Sequence, residues 1–219
     1  PVRAEVLRRP SREEGAAVFG LDPAKRTLLV LGGSLGALAV NRAVAEALPH
    51  LEAEADRIQV LHSAGRTGFE EARAACRGRR LCVVTRPFIE EMGAAYAVCD
   101  LALCRAGGTT LAELTALGVP ALLVPLPSAA NDHQRRNAQV LAGAGGALIF
   151  EQEDLDGRRL AVFVLNLMEN PLGLSRMRAA SLALGRPHAA AEIARRLTDL
   201  LPGGTAPTGV PAAAGIGGT

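Results

Sequence analysis

Four segments of this sequence hold residue types suited to binding a charged, hydroxyl-rich ligand. The first is Leu31-Gly32-Gly33-Ser34-Leu35-Gly36-Ala37. Glycines let a backbone turn tightly and approach a ligand, a following helix offers free N–H groups to an anion, and Ser34 adds a hydroxyl. No Lys-Ser/Thr pair follows, and the dinucleotide GxGxxG spacing is absent, so from the residues alone a tight turn without a ligand explains the segment equally well. The second runs Cys104-Arg105-Ala106-Gly107-Gly108-Thr109-Thr110-Leu111-Ala112-Glu113. Thr109 or Thr110 suits a helix N-cap. Glu113, in or near the first turn, is either a carboxylate favoured by the helix dipole or an acceptor for paired hydroxyls such as a ribose diol. Two glycine-rich helix starts point to a ligand with more than one recognised part.

The third segment is Pro125-Leu126-Pro127-Ser128-Ala129-Ala130-Asn131-Asp132-His133-Gln134-Arg135-Arg136-Asn137-Ala138. A proline-stiffened loop leads into a run of hydrogen-bonding side chains. These form either a solvated helical turn capped by Asn131 or Asp132, or the wall of a polar site. His133 has base or metal-ligand chemistry, but His50, His62 and His188 are distant and no HxxxH spacing occurs, so no metal site is expected. The fourth is Phe88-Ile89-Glu90-Glu91-Met92, an amphipathic helix start with Ile89 and Met92 inward, or a stretch whose main chain reads the edge of a base. No GxSxG elbow, Cys–His motif or pair of catalytic carboxylates occurs. The segments read as binding sites, and no catalytic residue is assigned.

The elements that must position these segments alternate regularly. Short apolar runs at 27–31, 57–62, 81–85, 100–104, 120–124 and 147–150 read as strands. Helical patterns lie between them at 37–48 (stopped by Pro49), 68–76, 89–98, 110–117 and 132–142. Continuously apolar strands separated by helices predict an α/β fold with a doubly wound, Rossmann-like parallel sheet covered on both faces. Ligands then bind at the carboxyl ends of the strands. Three helices follow at 154–169, 171–184 and 187–201, with Pro171 and Pro187 in first-turn positions.

Composition narrows the function classes. The 219 residues are 49% hydrophobic and 21% charged, enough to bury a core. A formal net charge of +2 gives no strong attraction to nucleic acid or anionic lipid. Lys25 is the only lysine among 24 basic residues, and no arginine run exceeds two. Aromatic residues make up 3%, with no Trp and only Tyr96 as tyrosine, so no stacking platform for bases is present. Cys76, Cys82, Cys99 and Cys104 form no CxxC pair and are expected to be reduced thiols in a cytosolic setting. No apolar run reaches membrane-spanning length and no signal peptide is visible. The chain opens at Pro1 with no lead-in to its first motif.

Taken in order, GGSLGA, FIEEM, CRAGGTTLAEL, GVPALLVPLPSAANDHQRRNA and Phe150-Glu151-Gln152-Glu153-Asp154-Leu155 resemble the carboxyl-terminal half of the MurG-type bacterial peptidoglycan N-acetylglucosaminyltransferases, from roughly Pro1 to Leu201. The resemblance implies one half of a GT-B fold, an inverting glycosyltransferase with two Rossmann-like domains. The activity implied is transfer of N-acetylglucosamine from UDP-N-acetylglucosamine to the 4-hydroxyl of the undecaprenyl-pyrophosphoryl-N-acetylmuramoyl-pentapeptide acceptor (lipid I to lipid II), with no cofactor. Residues 1–186 would be the donor-binding domain and 187–201 a helix crossing toward an amino-terminal domain. Residues 203–219 would be a disordered Gly/Pro-rich tail. Arg3 would lie at the interdomain junction and Ser34 at the diphosphate or sugar. Ile89 would read the uracil edge through its main chain. Gly108, Thr109, Thr110, Leu111, Ala112 and Glu113 would hold the diphosphate and ribose, with Glu113 on the ribose. Gln134, helped by His133, would bind the sugar hydroxyls. Leu35 departs from the family's usual Gln and cannot replace an amide's hydrogen bonds.

The acceptor site, a second glycine-rich loop, the base and a membrane-facing patch belong in the family to the amino-terminal domain, which has no counterpart in these residues. The resemblance therefore implies a chain inactive alone, working at the cytoplasmic face of the bacterial inner membrane with that domain and the lipid acceptor. No nucleic-acid partner is expected. The alternatives are the donor-binding subunit of a split GT-B transferase, or another GT-B enzyme of UDP-sugars.

Overall fold

The computed structural model describes residues 1–33 and 37–200. Ser34, Leu35 and the expected 203–219 tail fall outside these. Six strands form one parallel sheet: β1 (Arg26–Leu31), β2 (Ile58–Ser63), β3 (Val83–Arg86), β4 (Cys99–Cys104), β5 (Ala121–Leu123) and β6 (Ala147–Ile149). Their order, β3-β2-β1-β4-β5-β6, reverses direction between β1 and β4, which is where a doubly wound sheet opens a ligand crevice.

Alternation along each strand explains why both faces are apolar. Leu28 and Val30 enter one core with Val60, Leu101 and Leu103, while Leu29 enters the other with Leu61, Ala102 and Cys104. Each fully buried Leu contributes about 1.5–3 kcal/mol relative to exposure. The first core is covered by α3 (Leu38–Leu51) and α8 (Gly157–Met168), which pack on each other. The second is covered by α1 (Ala4–Leu7), α2 (Arg12–Phe19), α5 (Met92–Val98), α6 (Gly108–Leu117) and α7 (His133–Gly143). The remaining helices are α4 (Gly65–Ala75), α9 (Pro171–Ala183) and α10 (Ala189–Asp199). No helix among the described residues is long and apolar enough to cross a membrane.

Several expected boundaries are corrected. Pro49 does not stop α3 at Leu48: the helix continues to Leu51 with Pro49 inside its last turn. Burial of Leu48 and Leu51 against the sheet offsets the missing N–H bond. Pro187 lies in a turn before α10, which begins at Ala189 with His188 as N-cap. The expected helix at 89–98 is shorter, because Ile89 to Glu91 form its lead-in and α5 starts at Met92.

The chain also has an ordered lead-in. α2 starts with a reciprocal capping box, in which the Ser11 hydroxyl accepts from Glu14 N–H and Glu14 accepts from Ser11 N–H. Arg12 then donates to Asp100 Oδ2 at 2.7 Å, and the same oxygen accepts Thr27 N–H at 2.8 Å where the β1–β4 register shifts. That carboxylate ties α2 to the amino end of the sheet.

Candidate functional site: a cavity at the carboxyl edge of the sheet

A cavity of about 840 Å³ opens at the carboxyl ends of the strands. Its wall draws on the segment after every strand: Leu31 to Gly33 at β1, Ser63 at β2, Phe88 and Ile89 after β3, Arg105 and Gly107 after β4, Leu126 after β5, and Gln152 after β6. The volume lies within the usual range for small-ligand sites.

The first glycine turn enters through Gly32 and Gly33. Gly33 has φ +73°, a conformation that favours glycine. Gly32 donates its N–H to Ser63 O at 2.9 Å, and a Cβ there would sit 3.1 Å from both Ser63 O and Ala37 N. The turn is therefore closed against the end of β2, with Ala37, Leu38 and Ala39 at the start of α3 completing this wall.

The second glycine turn corrects an expectation. Neither Thr109 nor Thr110 caps α6; Gly107, in an extended conformation, is the N-cap and no side chain caps it. The helix starts at Gly108, ahead of both candidate caps. Thr109 and Thr110 therefore occupy its first turn and face the cavity. Uncapped first-turn N–H groups are free donors beside these hydroxyls. Gly108, Leu111 and Ala112 instead face a second groove of about 340 Å³ with Asn137 and Val140, so the 108–113 stretch divides between two surfaces.

Glu113 stands one turn further along α6 than a helix-start carboxylate and is only 4% exposed. Its Oε2 accepts the Tyr96 hydroxyl at 2.9 Å, and its Oε1 accepts Arg3 Nη2 at 3.3 Å. Burial, together with the Glu113 charge, pushes the Tyr96 phenol well above its ordinary pKa, so it stays a donor. A carboxylate offers about four lone-pair sites, which leaves capacity on Glu113 for a ligand diol. Arg3 lines the cavity, half exposed, and also pairs with Glu5 at 3.4 Å. Ile89 is buried in the wall with Phe88 exposed beside it at the rim.

The third segment corrects a second cap. Asn131 and Asp132 both adopt left-handed backbone conformations (φ 51° and 52°), and no side chain caps α7. Asn and Asp tolerate that region better than other non-glycine residues. The Asp132 carboxylate pairs with Arg135 instead, at 3.6 Å. Gln134 faces the cavity; its Oε1 accepts Leu126 N–H at 3.1 Å, which leaves its NH₂ to donate. His133 is exposed, is not among the residues lining the cavity, and contacts Ala130 O through Nδ1 at 2.8 Å.

Two cavity residues had no role in the sequence reading. Tyr96 reaches Glu113 across 17 residues, a pairing invisible before the sheet is assembled. Arg105 follows Cys104 in the second glycine-rich segment, where its spacing points to no ligand. Its guanidinium donates to Val124 O at 3.1 Å, to Pro125 O at 3.2 Å and to Gln152 Oε1 at 2.5 Å, binding the loops after β5 and β6 to the end of β4. These partners are all neutral, so Arg105 leaves positive charge at the cavity. Burial lowers its pKa. Among the described residues no group of three or more His, Cys, Asp or Glu side chains could hold a metal ion.

Comparison with known proteins fits this architecture. Residues 27–197 match the family model described as the glycosyltransferase family 28 C-terminal domain. The UDP-N-acetylglucosamine–N-acetylmuramyl-(pentapeptide) pyrophosphoryl-undecaprenol N-acetylglucosamine transferase of Alkalilimnicola ehrlichii is 45% identical over 196 residues, which is 89% of this chain and 54% of that protein. The enzyme of the same name from Anaeromyxobacter sp. (strain K) is 44% identical over 197 residues, 89% of this chain and 49% of that protein. The crystal structure of Acinetobacter baumannii MurG superposes with a TM-score of 0.75 at 31% identity, covering 89% of this chain and 55% of that one. The chain thus spans about half the length of the relatives it matches. A six-stranded parallel sheet in Rossmann order, with its cavity at the switch point and a family match over most of its length, makes this chain a member of glycosyltransferase family 28, in the carboxyl-terminal domain of that family.

Proposed function

We propose that the chain is the donor-binding half of an inverting transferase. It would move N-acetylglucosamine from UDP-N-acetylglucosamine to a lipid-pyrophosphoryl-N-acetylmuramoyl-pentapeptide acceptor in peptidoglycan synthesis. The observation that carries this reading is the buried Glu113 carboxylate, held by Tyr96 and Arg3 in a cavity that also receives both glycine-rich turns. A buried acceptor for a ribose diol, beside free N–H groups for a diphosphate, fits a nucleotide sugar.

In this reading Ile89 meets the uracil edge and Glu113 the ribose. Thr109, Thr110, Ser34 and the free first-turn N–H groups of α6, that of Gly108 included, surround the diphosphate, while Leu111, whose N–H is bonded to Gly107 O, and Ala112 support the turn from the second groove. Gln134 donates its amide to a sugar hydroxyl, and His133 reaches the sugar only by turning from Ala130 O. Arg3 steadies Glu113. The acceptor 4-hydroxyl attacks the anomeric carbon, the bond to the β-phosphate oxygen breaks, and UDP leaves with the added negative charge. Preorganised N–H donors stabilise that charge, and Arg105 adds a cation beside it. The base that takes the hydroxyl proton belongs to an amino-terminal acceptor domain, the partner this reading requires. With that domain the enzyme works at the cytoplasmic face of the inner membrane.

Calorimetry with UDP-N-acetylglucosamine, UDP-glucose and UDP tests the reading. The chain should bind UDP-N-acetylglucosamine most tightly, and Glu113→Ala should weaken UDP binding by about 1–3 kcal/mol. The chain alone should not transfer sugar to the lipid acceptor. Failure to bind any UDP species, or unchanged affinity in folded Glu113→Ala, overturns it.

A further inference from the structure

Behind the cavity wall lies a buried polar pair, neither member of which lines the cavity itself. Asn41, the fourth residue of α3, is 6% exposed, and His62, next to last in β2, is 1% exposed. Asn41 Nδ2 donates to Ala64 O at 2.8 Å, so its Oδ1 is the acceptor toward His62 Nε2 at 2.9 Å. One amide thus spans the end of β2 and the loop that follows it, from a helix whose start forms the cavity wall.

The surroundings give this amide little freedom. A Cβ at Gly32 would lie 3.4 Å from Asn41 Oδ1, and a Cβ at Gly68 would overlap Asn41 Nδ2. Gly32 in turn donates to Ser63 O, between the two β2-side groups that Asn41 and its partner occupy. Two buried polar side chains are costly to desolvate unless bonded, and here the bonds fall on residues 62 and 64, on either side of Ser63, whose carbonyl accepts the N–H of Gly32 in the first glycine turn.

We infer that Asn41 and His62 are positioning residues for the donor cavity, fixing the start of α3 against the end of β2 and so setting the place of Gly32 and Gly33. This deepens the nucleotide-sugar reading, and only the affinity part of its test rests on that reading. The pair acts through the backbone: the ligand meets the turn, and the turn keeps its place because Asn41 is held on both sides.

Gln59 supplies the control. It is equally buried on the same strand, but it bonds to Asp22 and Thr27 at the opposite end of the sheet. In the 219-residue chain, Asn41→Leu, His62→Leu, His62→Gln and Gln59→Leu are compared by amide exchange at Gly32 and by UDP affinity. Asn41→Leu and His62→Leu should speed Gly32 exchange at least tenfold and weaken UDP binding at least fivefold. His62→Gln, which keeps an N–H for Asn41, should recover part of both. Gln59→Leu should lower global stability without moving either readout. Gly32 exchange no faster in Asn41→Leu than in Gln59→Leu overturns the inference, whether or not UDP binds. Absence of UDP binding by the unmodified chain counts against the nucleotide-sugar reading alone.

Discussion

The Tyr96 hydroxyl donates to Glu113 Oε2 at 2.9 Å from the helix that precedes β4 to the helix that follows it. The bond crosses the switch point of the sheet and ties the two walls of the cavity together. It also explains how a carboxylate only 4% exposed is kept in place, since a buried charge needs bonded partners.

Tyr96→Phe should therefore act on stability and binding together. It removes a hydrogen bond to a charged group, worth about 1.5–3 kcal/mol. Urea unfolding should show a loss of that order, and UDP affinity should fall because Oε2 is no longer held. Equal stability in the variant would mean that Arg3 alone satisfies Glu113.

The strands were legible in the sequence for a physical reason: a parallel strand buried on both faces is apolar at most positions, so LLVL or LALC stands out, although β2 carries buried Gln59 and His62. The glycine turns were legible because few residue types tolerate their geometry. Long-range pairings were not. Tyr96 with Glu113 and Asn41 with His62 join residues 17 and 21 apart, and nothing in local spacing selects the partner. The caps misled in two ways: α6 begins at Gly108, so Gly107 and neither threonine takes the N-cap position, whereas Asp132 does stand at the N-cap of α7 but in a left-handed conformation, with its carboxylate on Arg135 and not on a helix N–H. The missed α2 had its signal in Ser11-Arg12-Glu13-Glu14, but it buries only Gly15, Ala16 and Phe19, too little for an apolar period.

Acid should weaken the fold through His62. Burial lowers its pKa from 6.5 to about 4 in the folded chain. The unfolded chain binds a proton there between those values and the folded chain does not, so this contribution is complete above pH 6.5 and is lost as pH falls toward 4. The difference corresponds to about 3 kcal/mol. Glu52, whose pKa is lowered first by the Arg80 backbone N–H, pulls in the same direction, so the histidine must be isolated by substitution. Denaturant titrations at pH 7 and 4.5 should show a smaller acid loss in His62→Gln than in the unmodified chain.

Thiol reactivity should separate the cysteines into two classes. Cys99 and Cys104 are buried in the sheet, and burial pushes Cys104 up to about 12 and Cys99 higher still. The thiolate is the reactive form, so neither should react with a disulfide reagent at pH 8 until the chain unfolds. Cys76 and Cys82 are only partly covered and should react in the native state, Cys76 slowly because burial raises its pKa too. Mass spectrometry after a timed pulse would read this directly, and native labelling of Cys104 would contradict the packing of β4.

The contact between α3 and α8 should be intolerant of a single methyl group. Gly157 opens α8, and a Cβ there would overlap Glu46 Cβ and lie 2.7 Å from Ala47 N, so the obstacle includes the α3 backbone and not only a movable side chain. Alanine is intrinsically the better helix former by up to about 1 kcal/mol, but at a first-turn position that advantage is reduced. Forcing extra volume into a close-packed contact costs about 1–3 kcal/mol. Overpacking therefore wins, and Gly157→Ala should destabilise the chain by roughly 1–2 kcal/mol in urea unfolding. Because α3 also carries the start of the cavity wall and Asn41, the displaced helix should weaken UDP binding as well. A variant as stable as the unmodified chain would show that α3 and α8 can move apart without cost.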